Sequence, residues 1–158
     1  MTTVSEIERK FLFQHCPLDL SKLEVRSLRQ GYLALEKDRE VRIRDENGTF
    51  SLTVKIGTGL VKSETEILIS SEQFEVFWPV TEGRRLEKDR YFKTLDDAVL
   101  HVDIYHGDFE GLKVAEIEFP SESHAKNFET LDWFGLEVTE LDYREMAQLK
   151  QQGKWPLI

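Results

Sequence analysis

The chain has 158 residues, of which 40% are hydrophobic, 11% aromatic and 32% charged, which suits one folded domain over 1–158 and argues against disorder. Its formal net charge of -9 argues against a general nucleic-acid or membrane binder, since such proteins carry basic surfaces. The single cysteine, Cys16, excludes an internal disulfide and disfavours a cysteine-based zinc site; with no signal-peptide pattern and no apolar stretch long enough to span a bilayer, a cytoplasmic protein is expected.

Period-two alternation predicts a strand over Ile7–Phe13, a short turn over Leu18–Leu23, and strands over Val25–Leu35 and Glu40–Arg44. Asn47-Gly48 then marks a tight hairpin into a strand at Thr49–Ile56, followed by another at Val61–Ile69. A helix is predicted from the serine cap at Ser70 to Phe77, limited by Pro79. Strands follow at Glu87–Tyr91, Ala98–Tyr105 and Lys113–Phe119. A helix is expected over Ser121–Phe128 after Pro120, an additional strand at Leu136–Thr139, and a last helix around Asp142–Lys150 ending near Gly153. Many strands and few helices predict a β-rich α+β fold, a closed barrel with helices packed outside it.

The polar faces of these strands carry charge one after another. Glu6, Glu8 and Lys10 share a face, as do Arg42 and Arg44, Glu64 and Glu66, Lys88 and Arg90, and Glu116 and Glu118; Lys55 and Asp103 lie on the polar faces of their own strands. A single charged face normally points at water. Here the opposite faces are apolar and need cover, so in a closed barrel the charged faces converge inside. Confined ion pairs are a poor way to stabilise a fold, so such a lumen is built for a ligand. Guanidinium and ammonium groups suit phosphate oxygens, and paired carboxylates suit a hard cation such as Mg²⁺ or Mn²⁺. Together they describe a site for a metal-bound polyphosphate.

Glu6-Ile7-Glu8-Arg9-Lys10 resembles the Glu-x-Glu-x-Lys signature of the CYTH superfamily, the triphosphate tunnel metalloenzymes. The ordered series Arg42/Arg44, Lys55, Glu64/Glu66, Lys88/Arg90, Asp103 and Glu116/Glu118 extends the likeness to residue 118. Gln30-Gly31-Tyr32-Leu33, the run from Glu82 to Lys88 and the run from Trp133 to Thr139 are similar to short bacterial members. The run from Val138 to Arg144 departs from the family's usual Arg-Tyr order followed by Asn.

The resemblance implies an eight-stranded antiparallel tunnel and divalent-metal-dependent chemistry on a small-molecule triphosphate, with Mg²⁺ or Mn²⁺ as cofactor and inorganic triphosphatase as the leading activity. An adenylyl cyclase, a thiamine triphosphatase and a non-catalytic polyphosphate-binding module are the alternatives. It implies Glu6, Glu8, Glu116 and Glu118 as metal ligands, with Glu64, Glu66 and Asp103 adding ligands, positioning waters or restraining cations. Lys10, Arg42, Arg44, Lys55 and Arg90 are expected to grip phosphate. Lys88 is expected to act as a base with Tyr32 as its partner, because a lysine among other cations has a lowered pKa. His15, His101, His106 and His124 lack zinc spacing and read as ordinary. No nucleic-acid or membrane partner is expected, and a homodimer is left open.

Overall fold

The computed structural model describes residues 1–152. It contains eight strands: β1 (Thr2–Leu12), β2 (Glu24–Glu36), β3 (Arg39–Glu46), β4 (Thr49–Ile56), β5 (Val61–Leu68), β6 (Arg85–Leu95), β7 (Ala98–His106) and β8 (Lys113–Glu118). All pair antiparallel and close into one barrel in the order β1-β5-β4-β3-β2-β6-β7-β8. The fold class read from the sequence is therefore the observed one. The Asn47-Gly48 hairpin also forms, with φ of 51° and 86°, as its turn chemistry requires.

Among the described residues three α-helices accompany the barrel: α1 (Ser71–Phe77), α2 (Glu122–Asn127) and α3 (Tyr143–Gln151). Ser70 and Gln73 form a reciprocal capping box on α1, and Asp142 and Glu145 do the same on α3. Each cap satisfies backbone donors that the first turn would otherwise orphan, worth about 1 kcal/mol. Pro79 falls in a short 3-10 turn, Trp78–Thr81, that continues α1. The turn expected at Leu18–Leu23 is a 3-10 turn over Leu20–Lys22, capped by Asp19. Gly153, expected to close the last helix, lies outside the described residues.

The apolar faces are covered in two places. Outside β7 and β8, Leu100, Val102, Ala115 and Ile117 pack with Phe13, Phe119 and Ala125, flanked by Phe128, Trp133 and Phe134. At one end of the tunnel Leu12, Tyr32, Leu86, Phe109, Leu112, Val114 and Val138 form a second cluster, with Tyr143, Met146 and Ala147 of α3 against it. Thus α3 packs over a tunnel mouth.

The segment expected as a strand at Leu136–Thr139 makes a single bridge, Phe11 with Glu137. Its position has a clear cause. β1 pairs with β5 only through Thr2–Ile7 and with β8 through Glu8–Leu12. The edge that β5 leaves bare is taken by this strap: Leu12 N donates to Leu136 O at 2.9 Å, and Val138 N donates to Lys10 O at 2.7 Å. Arg9 anchors it from outside, donating to Glu137 Oε1 at 2.6 Å and to the carbonyl of Ala125 at 3.0 Å.

Candidate active site

Pleat alternation sends the charged faces into the tunnel. The cavity is lined by Glu6, Glu8 and Lys10 of β1, Arg42 and Arg44 of β3, Lys55 of β4, Glu64 of β5, Lys88 and Arg90 of β6, and Glu116 and Glu118 of β8. Tyr32 of β2 lines it near the closed mouth. The remaining expected residues lie beside this set. Asp103 is completely buried between Lys88 and Arg90, and Glu66 meets Thr53 Oγ1 at 3.4 Å.

The acidic side centres on β1 and β8, which are adjacent. Carboxylate oxygens of Glu6, Glu8 and Glu116 lie within 4.8 Å of one another. Burial first, and then repulsion from Glu116, pushes Glu8 up to about 8. Burial would also raise Glu116, but Arg90 first and then the neighbouring His101 ring hold it well below the usual carboxylate range. The two neighbouring carboxylates therefore titrate as a pair, with their values pushed apart. Glu8 Oε2 is buried without a hydrogen-bond partner, a costly state that a cation in the cluster would relieve. Three hard oxygen donors and an orphaned buried carboxylate oxygen fit a divalent ion such as Mg²⁺ or Mn²⁺.

Lysines flank this cluster. Lys55 Nζ lies 2.9 Å from Glu6 Oε1 and 3.5 Å from Glu64 Oε2, while Lys62 Nζ lies 3.9 Å from Glu8 Oε1. Burial would lower Lys55, yet Glu8, Glu6 and Glu64 together hold it above the usual lysine value.

The opposite wall is basic. In the cyclic strand order β3 lies four strands from β8 in either direction, so Arg42 and Arg44 face the carboxylates across the lumen. Arg42 is buried with its Nε unpartnered, and its nearest acid, Glu40, is 4.0 Å away. Arg44 Nε donates to Gln30 Oε1 at 2.8 Å, and burial with repulsion from Arg42 and Arg90 lowers its pKa to about 10. Such crowded, under-neutralised guanidinium groups suit an anion with many oxygens.

Between the two walls stands Lys88. Its Nζ donates to Asp103 Oδ2 at 2.8 Å, and Arg90 donates to both Asp103 oxygens, each at 2.8 Å. Burial and then Arg90 lower Lys88 to about 8, against the pull of Asp103. Burial would raise Asp103, but Arg90 and Lys88 hold it at about 2. The ring that Lys88 meets is Tyr105, with its centroid 5.2 Å away. Tyr32 instead accepts a hydrogen bond from Gln30 Nε2 at 2.8 Å, which leaves its own hydroxyl proton to donate.

Several site residues escaped the sequence reading. Gln30, Glu40, Lys62 and Tyr105 line the tunnel, and His101 forms a second cluster with Glu116 and Glu118. The signal was present for most of them. Glu40 shares parity with Arg42, Lys62 with Glu64, and His101 and Tyr105 with Asp103.

The family description "CYTH domain" matches residues 5–147, nearly the whole described barrel. The chain belongs to the CYTH domain family. This CYTH chain is 44% identical over 139 residues to an inorganic triphosphatase of Nitrosomonas europaea, covering 87% of this chain and 91% of that protein. It is 38% identical over 138 residues to an inorganic triphosphatase of Acetivibrio thermocellus, covering 85% of each. A crystal structure of an inorganic triphosphatase superposes with a TM-score of 0.65 at 41% identity, covering 92% of this chain and 94% of that one.

Proposed function

We propose that this CYTH protein hydrolyses inorganic triphosphate (tripolyphosphate) to pyrophosphate and phosphate, using Mg²⁺ or Mn²⁺. The observation that carries this reading is the two-sided tunnel: a Glu6–Glu8–Glu116 cluster faces Arg42 and Arg44 across one lumen. The similarity to two inorganic triphosphatases supports the same substrate.

In this reading Lys10, Arg42, Arg44, Lys55 and Arg90 hold the phosphate oxygens. Glu6, Glu8 and Glu116, joined by Glu118, hold the metal. When bound, the ion lowers the pKa of a water molecule and neutralises charge on the phosphates. Lys88, with a pKa near 8, accepts the proton of the attacking water; its low value keeps a useful neutral fraction near neutral pH. Tyr32 orients the reacting groups through its free hydroxyl proton. Asp103 holds Lys88 and Arg90 in place, Glu64 restrains Lys55, and Glu66 orders polar contacts at the far end of β5. The new bond joins the water oxygen to a terminal phosphorus, the bridging P–O bond breaks, and pyrophosphate leaves with the electron pair. The acidic net charge argues against nucleic acid or membrane as a partner, and we place the reaction in the cytoplasm.

The test is phosphate release from tripolyphosphate, ATP and pyrophosphate, each with Mg²⁺, Mn²⁺ or EDTA, for wild type and Glu6→Gln. Metal-dependent release from tripolyphosphate, lost in the variant, is expected. No release from tripolyphosphate overturns the proposal, and cyclic AMP formed from ATP points to a cyclase instead.

A further inference from the structure

The proposed reaction leaves Gln30 without a task, yet this side chain joins two residues that have one. Gln30 of β2 lines the tunnel wall and is only 2% exposed. It is opposite Arg44 in the β2–β3 ladder, and Tyr32, two residues on, shares its face. Arg44 Nε donates to Gln30 Oε1 at 2.8 Å. Gln30 Nε2 in turn donates to the Tyr32 hydroxyl oxygen, also at 2.8 Å.

These two bonds fix the amide and, through it, both neighbours. A guanidinium has donors only, so the oxygen of Gln30 must face Arg44 and its NH₂ must face Tyr32. The Tyr32 oxygen therefore accepts, and burial keeps the phenol protonated by pushing its pKa above the ordinary tyrosine value. Its proton is left for the lumen. Arg44 commits Nε to Gln30, which leaves the Nη1 and Nη2 edge for an anion. The place also requires a neutral side chain. A carboxylate there would neutralise Arg44 and would accept the Tyr32 proton, turning both donors away from a substrate.

We infer that Gln30 is a positioning residue for the hydrolysis: one buried amide aims the Tyr32 hydroxyl proton and the Arg44 terminal nitrogens at the bound triphosphate. This deepens the proposed triphosphatase reading and rests on it. Charge grows on phosphate oxygens as the P–O bond breaks, and donors already aimed at those oxygens need no reorganisation at that moment. A tyrosine proton is free to rotate about its C–O bond unless the oxygen's other partner fixes it. Gln30 supplies that partner. Glutamate in the same place keeps the Arg44 bond but has no N–H, so the Tyr32 hydroxyl donates to the carboxylate instead of into the lumen.

The experiment compares Gln30→Glu in the wild-type and Tyr32→Phe backgrounds of the full-length protein. The Raman Fermi doublet of tyrosine reports whether the phenol oxygen accepts or its proton is donated. It is recorded in EDTA without substrate, and the Tyr32 contribution is isolated by subtracting the spectrum of the matching Tyr32→Phe protein. Wild type is expected to show the acceptor form, and Gln30→Glu the donor form. With tripolyphosphate and metal, Gln30→Glu should lower kcat at least about tenfold in the wild-type background. In the Tyr32→Phe background, where the proton to be misdirected is gone, the same change should alter kcat by less than about twofold. KM should rise in both, because Arg44 is neutralised in both. A donor-form doublet in wild type overturns the inference, and that measurement needs no Gln30 variant to fold. An unshifted doublet in Gln30→Glu, or an equal kcat loss in the two backgrounds, also overturns it. A shifted doublet without tripolyphosphate hydrolysis by wild type supports the positioning and sinks only the reaction, whereas hydrolysis with an unshifted doublet does the reverse.

Discussion

Replacing Asp103 by asparagine removes one negative charge from a buried ion cluster. The carboxylate accepts Lys88 Nζ, Arg90 Nε and Arg90 Nη2, each at 2.8 Å, and is itself fully buried. In Asp103→Asn the two cations keep only Glu116, 3.3 Å from Arg90, as a close acid. Breaking a buried pair of this kind costs about 3–5 kcal/mol because the surviving charge remains desolvated. At about 2–4 °C per kcal/mol for a chain of this size, Tm should fall by about 6–20 °C.

The same change acts on Lys88. Burial and Arg90 lower its pKa to about 8 even though Asp103 pulls upward, so losing Asp103 lowers it further. If neutral Lys88 takes the proton from water, kcat rises with pH up to that pKa, and the plateau should begin at lower pH in the variant. Tripolyphosphate should also raise the variant's Tm more than that of wild type, since its oxygens replace the missing charge. Thermal melts in EDTA, with and without tripolyphosphate, and a kcat profile from about pH 6 to about pH 10 read all three effects. A Tm within about 2 °C of wild type, or an unmoved rising limb, refutes the reasoning.

Three further outcomes follow from the same geometry. Lys88→Ala should lower kcat by about 10²–10⁴ with a much smaller change in KM, and equal losses in binding and turnover would remove its base role. Glu8→Gln should abolish metal-dependent turnover while leaving Tm in EDTA above pH 8 unchanged or higher, because burial and Glu116 both oppose the Glu8 charge; a clear drop in Tm counts against that. Because Glu8 holds its proton up to about pH 8, a cation must displace it, so apparent metal affinity should rise nearly tenfold per pH unit below that value and level off above. Affinity that does not change with pH would show that Glu8 is already ionised. The sign for stability runs the same way: folded Glu8 stays protonated above its ordinary 4.5, so Tm in EDTA should fall as pH rises from 4.5 toward 8.

The candidate site was legible where a strand's parity is enough. Arg42 and Arg44 had to share a face because the side-chain period is two, and the apolar face opposite needed cover. His101 obeyed the same parity as Asp103 but was read by its lack of zinc spacing, a test for ligands close in sequence that misses partners across a ladder. The pairing that places His101 opposite Glu116 joins residues of neighbouring strands through hydrogen bonds alone.

Parity also could not divide the work among the acids. Asp103 and Glu116 both point inward, but Asp103 spends its oxygens on Lys88 and Arg90, while Glu116 lies within reach of Glu6 and Glu8. That difference arises from depth along the tunnel and from which strands are neighbours.

The amino-acid sequence by itself determined the strands, their charged and apolar faces, the Asn47-Gly48 hairpin and the helix caps, because each depends on residues within a few positions of one another. Tertiary structure alone decided that β2 lies beside β6, that the strap after Gly135 covers the free edge of β1, that α3 closes a mouth, and which acid meets which cation. Those outcomes depend on the closure of the barrel, where the energy of each buried charge is set by groups far away in the chain and a few ångströms away in space.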